Sequence, residues 1–135
     1  MNRRPDLNSR QSSRRLDPPI DFQRLLHRCR GNERLVRQLV ATFQQKIDED
    51  VALLEGALDR KDASEIAAVA HRVKGTAANI AADGIREAAE EIEQSAWLGE
   101  FAQIPQWLLR FKVDGSRLAQ ILNLEEGRFE TKESQ

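Results

Sequence analysis

Apolar residues along this chain recur at steps of three and four, not at alternate positions. Leu35, Leu39, Phe43, Ile47, Val51, Leu54 and Leu58 form one such series, the period of a helix with a single buried stripe. The series predicts a long helix from a cap at Asn32 to about Lys61. Asp62 and Glu65 have capping-box spacing: the Asp accepts from the backbone near Glu65, and Glu65 reaches back. The helix they open carries Ile66, Val69, Ala70, Val73, Ala77 and Ile80 and ends near Ala81-Ala82. Asp83-Gly84 marks a turn or the next start, and a further helix to Leu98-Gly99 follows, with Ile85, Ala88, Ala89, Ile92 and Ala96 as its stripe.

A last helix begins between Glu100 and Pro105, since proline is tolerated in a first turn. Its core candidates are Trp107, Leu108, Phe111, Leu118, Ile121 and Leu122. Gly115 in its middle weakens it by about 1 kcal/mol relative to Ala. Upstream, Asp21 caps a short helix holding Phe22, Leu25 and Leu26, and Gly31 stops it. No stretch shows strand alternation. The pattern predicts an all-α fold over residues 20–123, an antiparallel up-and-down four-helix bundle with a short additional N-terminal helix. Residues 1–19, rich in Arg, Ser, Asn and Pro, read as a flexible basic tail. Both a linker and a partner-touching basic arm fit them. Residues 124–135 are short and polar and read as a flexible, fraying tail.

Composition narrows the classes. The formal net charge is -1, against the basic excess of a duplex-binding domain, so no nucleic-acid partner is expected. Cys29 is the only cysteine. It can form no internal disulfide and no cysteine zinc site, and it suits a reduced, cytoplasmic setting. No apolar run approaches the roughly 18 residues of a membrane span, and no hydrophobic segment follows the N-terminal arginines as in a secretory signal.

The remaining feature is chemical. On a wheel of about 100° per residue centred on Val73, the residues Ile66, Val69, Ala70, Ala77 and Ile80 fall within about 60°. His71 lands at about 160° and points outward. Lys74 and Gly75 follow it at three and four places, with Ala67, Ala68 and Ala78 on the same side. An ordinary exposed face would carry Glu, Lys, Arg and Gln; here a His and a Lys stand on a shelf of Ala and Gly. Gly75 inside a helix costs about 1 kcal/mol, and close approach of another molecule is one reason to accept it. From periodicity alone, an exposed His without function fits equally well.

The run from Ala70 to Ile80, AHRVKGTAANI, resembles the motif of histidine-containing phosphotransfer (HPt) domains: a His, a Lys three later, a Gly, then small residues and a hydrophobe. The long helix before it and the Ala88-Ala89-Glu90-Glu91-Ile92-Glu93 segment after it are also similar to the family. The resemblance spans roughly Ile20 to Leu122. One departure is Ala81, where the family usually has Gly. The resemblance implies a phosphorelay protein, a phosphoryl carrier and not a turnover enzyme. His71 takes the phosphoryl group from an aspartate on a receiver domain and passes it to another receiver. Lys74 is the positive charge beside it, and Gly75, Ala67, Ala68 and Ala78 are the partner-facing shelf. The family needs no cofactor or metal of its own, Mg²⁺ being held by the receiver. Partners are receiver domains and a hybrid histidine kinase, and the implied state is a monomer.

Asn79 has two readings, a hydrogen bond near the site or a solvated amide. Arg72 faces either an acidic partner surface or solvent. His27 lies beside Cys29 without a small-residue shelf and reads as structural. Two other functions compete. A non-catalytic helical docking module uses the same surface without transfer. A dimerising histidine kinase core would carry an acidic residue or Asn after the His, where Arg72 stands, and a nucleotide loop that is absent from the sequence.

Overall fold

A computed structural model describes the backbone of residues 17–134 and the side chains of 17–124. The expectation for the basic tail falls almost wholly outside the described residues. Five helices follow one another: α1 (Phe22–Arg28), α2 (Glu33–Asp59), α3 (Ala63–Asn79), α4 (Asp83–Leu98) and α5 (Ile104–Ser134), with a 3₁₀ turn at Phe101–Gln103 before the last. The four long helices pack neighbour to neighbour in the ring α2, α3, α4, α5. Among the described residues there is no strand. This is the expected all-α bundle, with α1 as its extra N-terminal helix. α5 runs on to Ser134, through the polar segment read from the sequence as a tail.

Side-chain caps open three helices. Asp21 accepts from Arg24 N at 3.1 Å, Asn32 from Leu35 N at 3.0 Å and Asp62 from Glu65 N at 3.1 Å. Glu65 does not complete the box. The Asp62 N–H already donates to Ala57 O at the end of α2, and Glu65 pairs with Arg60 at 2.8 Å instead.

The buried stripe of α2 is shifted from the expected one at its N-terminal end. Val40, Phe43, Ile47 and Leu54 are buried, whereas Leu35 and Leu39 are 38% and 39% exposed. The cause is tertiary. Phe22 and Leu26 of α1 and Ile121 and Leu122 of α5 gather against Val36 and Val40, so the core lies on that side.

Phe111, Ile47, Leu54, Ile66, Ile85, Ile92 and Leu118 fill the centre of the bundle. By helical register, the seam between α3 and α4 is lined by alanines, including Ala67, Ala70, Ala77, Ala89 and Ala96, all buried. Small side chains let two helices approach at the short end of the 8–10 Å range. At that spacing side chains on the rim of one helix reach those of the other. Gly115 has a comparable role: a Cβ there would lie 3.3 Å from Ile47 Cγ2, so the expected helix penalty is offset by close packing of α5 on α2.

The turn between α3 and α4 is a Schellman ending. Ala82 N donates to Ala77 O at 2.9 Å, and Ala81 takes φ +62°. That left-handed backbone suits glycine best, so the alanine at this position carries a strain that a glycine would not. α1 braces this turn. Asp21 N donates to Ala81 O, and Arg24 pairs with Asp83 at 2.7 Å. The hydrogen bond to Asp83, then its charge, raises the Arg24 pKa. Arg28 donates to Ala78 O and Asn79 O, a cation on the last carbonyls of α3.

Candidate functional site

His71 lies in the middle of α3 on its outward face, and its side chain is 69% exposed. The face is set by sequence: Val69, Ala70 and Val73 turn inward and are buried, which leaves position 71 outside. The imidazole is nevertheless tethered on one side. Its Nδ1 lies 3.1 Å from Glu93 Oε2 on α4. Lys74 Nζ, one turn on from His71, donates to the other oxygen of the same carboxylate at 3.0 Å. Glu93 is 19% exposed and forms the floor beneath both groups.

This arrangement sets the protonation pattern of a neutral ring. An ionised carboxylate only accepts, so Nδ1 carries the proton and Nε2 holds the lone pair. Nε2, on the far side of the ring from Nδ1, is the nitrogen this pattern leaves with an available lone pair. Lys74 places one positive charge on the Glu93 side of the ring, matched by that carboxylate.

The remaining expected site residues separate into four groups. Gly75 and Ala68 are exposed and Ala78 half-buried on the face of His71. A Cβ at Gly75 would meet nothing within 4 Å, so packing within this chain gives no reason for a glycine there. Ala67 does not belong to the exposed shelf: it is 2% exposed, packed into the α3–α4 seam. Arg72 already has an acidic partner within the chain. It donates to both oxygens of Asp50 on α2, at 3.0 and 3.1 Å, and Asp50 is 1% exposed. Asn79 is eight residues past His71, about 12 Å along the helix. It ends α3, and its carbonyl accepts from Arg28. His27 is exposed and Cys29 half-buried.

Glu93 is the residue that sequence reasoning overlooked. It was visible as one of three acids in Glu90-Glu91-Ile92-Glu93. Choosing among them requires the register of α4 against α3. The tight turn at Ala81-Ala82 could have supplied it, since two antiparallel helices joined there bring position 93 opposite 71 and 74.

The family model described as "Hpt domain" matches residues 38–123. The chain belongs to the Hpt domain family. Among solved structures it is similar to histidine-containing phosphotransfer protein B from Pseudomonas aeruginosa PAO1. That likeness has 25% identity and a TM-score of 0.71, and covers 82% of this chain and 96% of the other. It also shares its fold with the HPT domain of a sensor hybrid histidine kinase from Shewanella. There the identity is 16% and the TM-score 0.67, with 78% of this chain and 95% of that one covered. No curated protein sequence matches this one. Hpt domains are phosphotransfer carriers of two-component phosphorelays and act with receiver domains and histidine kinases. The Hpt match starts at residue 38, so α1 and the first turn of α2 lie ahead of it. Among the described residues, no helix is long and apolar enough to cross a membrane.

Proposed function

We propose that this Hpt domain accepts a phosphoryl group on His71 Nε2 from an aspartyl phosphate of a receiver domain and returns it to the aspartate of another receiver. The observation that carries this is the double hold of Glu93 on His71 Nδ1 and Lys74 Nζ beneath an otherwise open imidazole. A solvated surface histidine needs no such support.

In the forward step the Nε2 lone pair attacks phosphorus, the P–Nε2 bond forms and the P–O bond to the aspartyl carboxylate breaks. The ring gains positive charge as its lone pair is used. Glu93, already bonded to Nδ1–H, stabilises that charge without moving. Lys74 faces the equatorial oxygens as negative charge shifts between donor and acceptor. Mg²⁺, expected on the receiver, would supply the neutralisation of the remaining phosphoryl charge; among the described residues no cluster of His, Cys, Asp or Glu could hold a metal ion. The domain acts as a monomeric, cytoplasmic carrier and leaves the catalytic machinery to the receiver.

The test is incubation with phosphorylated receiver domains, with His71→Gln as control. Acid-labile, base-stable phosphate on the natural chain and none on the control is expected. Receiver binding without any label, on a well-folded bundle, would make this a docking module instead.

A further inference from the structure

Trp97 is 65% exposed, a large aromatic left in water on α4. It follows Glu93 by four residues, one turn or about 6 Å along the helix, and about 40° around it. Glu93 lies beside His71 and Lys74, and α3 and α4 run antiparallel. That turn is therefore directed toward the N-terminal half of α3, abreast of exposed Ala68. The opposite flank has a matching feature. Asp50 of α2 bonds Arg72, so Leu53, three residues on and 44% exposed, also comes abreast of Ala68. Three exposed apolar side chains, Leu53, Ala68 and Trp97, one on each of three neighbouring helices, are thus placed by register on one side of His71. Lys46 of α2 lies past Asp50 in the other direction, toward the C-terminal half of α3, where Lys74 also stands.

Resting on the reading of His71 as phosphoryl acceptor, we propose that a receiver seats an apolar patch of its own on these side chains and that Trp97 is the anchor that sets how tightly it is held. The occupant follows from geometry. A standard interface covers about 800 Å² per partner, a disc of roughly 16 Å radius. A receiver centred on His71 to deliver its phosphoryl group must cover a side chain about one turn away. Tryptophan inside such a footprint is among the residue types that most often dominate binding.

The experiment measures phosphotransfer from a panel of phosphorylated receiver domains to the natural chain, Trp97→Ala, Trp97→Phe and Leu109→Ala. Leu109 is 57% exposed on the outward face of α5, away from His71, and controls for loss of any exposed hydrophobe. Trp97→Ala is expected to raise KM about thirtyfold with kcat little changed, about 2 kcal/mol at 1.4 kcal/mol per factor of ten. Trp97→Phe should recover most of the loss, and Leu109→Ala should match the natural chain. On adding unphosphorylated receiver, the Trp97 indole N–H resonance should shift and that of Trp107 should not. Natural KM in Trp97→Ala with an unmoved indole signal overturns the docking proposal and leaves transfer to His71 intact. No transfer to the natural chain from any receiver overturns the underlying reading and this proposal with it.

Discussion

Glu93 is 22 residues from His71 in the chain and 3.1 Å from its Nδ1 in space, and the same carboxylate takes Lys74 at 3.0 Å. One acid on α4 therefore holds both functional candidates of α3. Glu93→Ala should lower the phosphotransfer rate about tenfold or more, by releasing the ring from the geometry and tautomer that expose the Nε2 lone pair. The stability change should stay within about 1 kcal/mol, as for partly exposed pairs. Imidazole ¹⁵N shifts separate positioning from mere structure. They should report the Nδ1–H tautomer in the natural chain and a mixture in the variant. Unchanged shifts together with unchanged transfer would show that Glu93 positions nothing.

Gly75 separates stability from function. Nothing lies within 4 Å of a Cβ built there, so Gly75→Ala should stabilise the helix by about 0.8–1 kcal/mol. Gly75→Leu should also fold but should slow transfer from a receiver, because its side chain stands where the partner approaches. Thermal melts and transfer rates on the two variants check this. Loss of stability in Gly75→Ala would mean the glycine serves the fold.

Arg72 supports the core from the surface: its side chain is 43% exposed, but the carboxylate it pairs with, Asp50, is buried. Arg72→Ala leaves a buried carboxylate with only Lys46, 4.0 Å away. The expected loss is about 2–3 kcal/mol, seen as a lower urea midpoint at unchanged m. Replacing both partners, Asp50→Leu with Arg72→Met, should recover most of it, since apolar packing substitutes for the pair.

Ala81 adopts φ +62°, a conformation that costs a side-chain-bearing residue about 1–2 kcal/mol. Its buried methyl returns at most about 0.8 kcal/mol. Ala81→Gly should therefore raise stability slightly, by about 0.5 kcal/mol, measured as a small rise in Tm. A fall would show that methyl packing outweighs backbone strain.

Much of this was legible in the chain. The three-and-four spacing of Ile66, Val69, Ala70, Val73 and Ala77 buries them, and it alone turns His71 outward, because a helix has one period and one inward face. The caps at Asp21, Asn32 and Asp62, and the Lys-Gly pair after His71, are likewise local and readable. The expected stripe at Leu35 and Leu39 was wrong because α1 and α5 chose the Val36–Val40 side, a decision made by packing between elements distant in sequence. Ala67 passed for surface because the depth of the α3–α4 seam depends on the alanines of both helices. Arg72 and Glu93 could not be assigned at all from their own helices: each acts through a partner 22 residues away. The sequence by itself determined which residues are helical and which way His71 faces, since both follow from local period and end chemistry. Only the tertiary structure decided what holds the imidazole, because an ion pair between two helices depends on their register and separation, and neither is written in the residues of one helix.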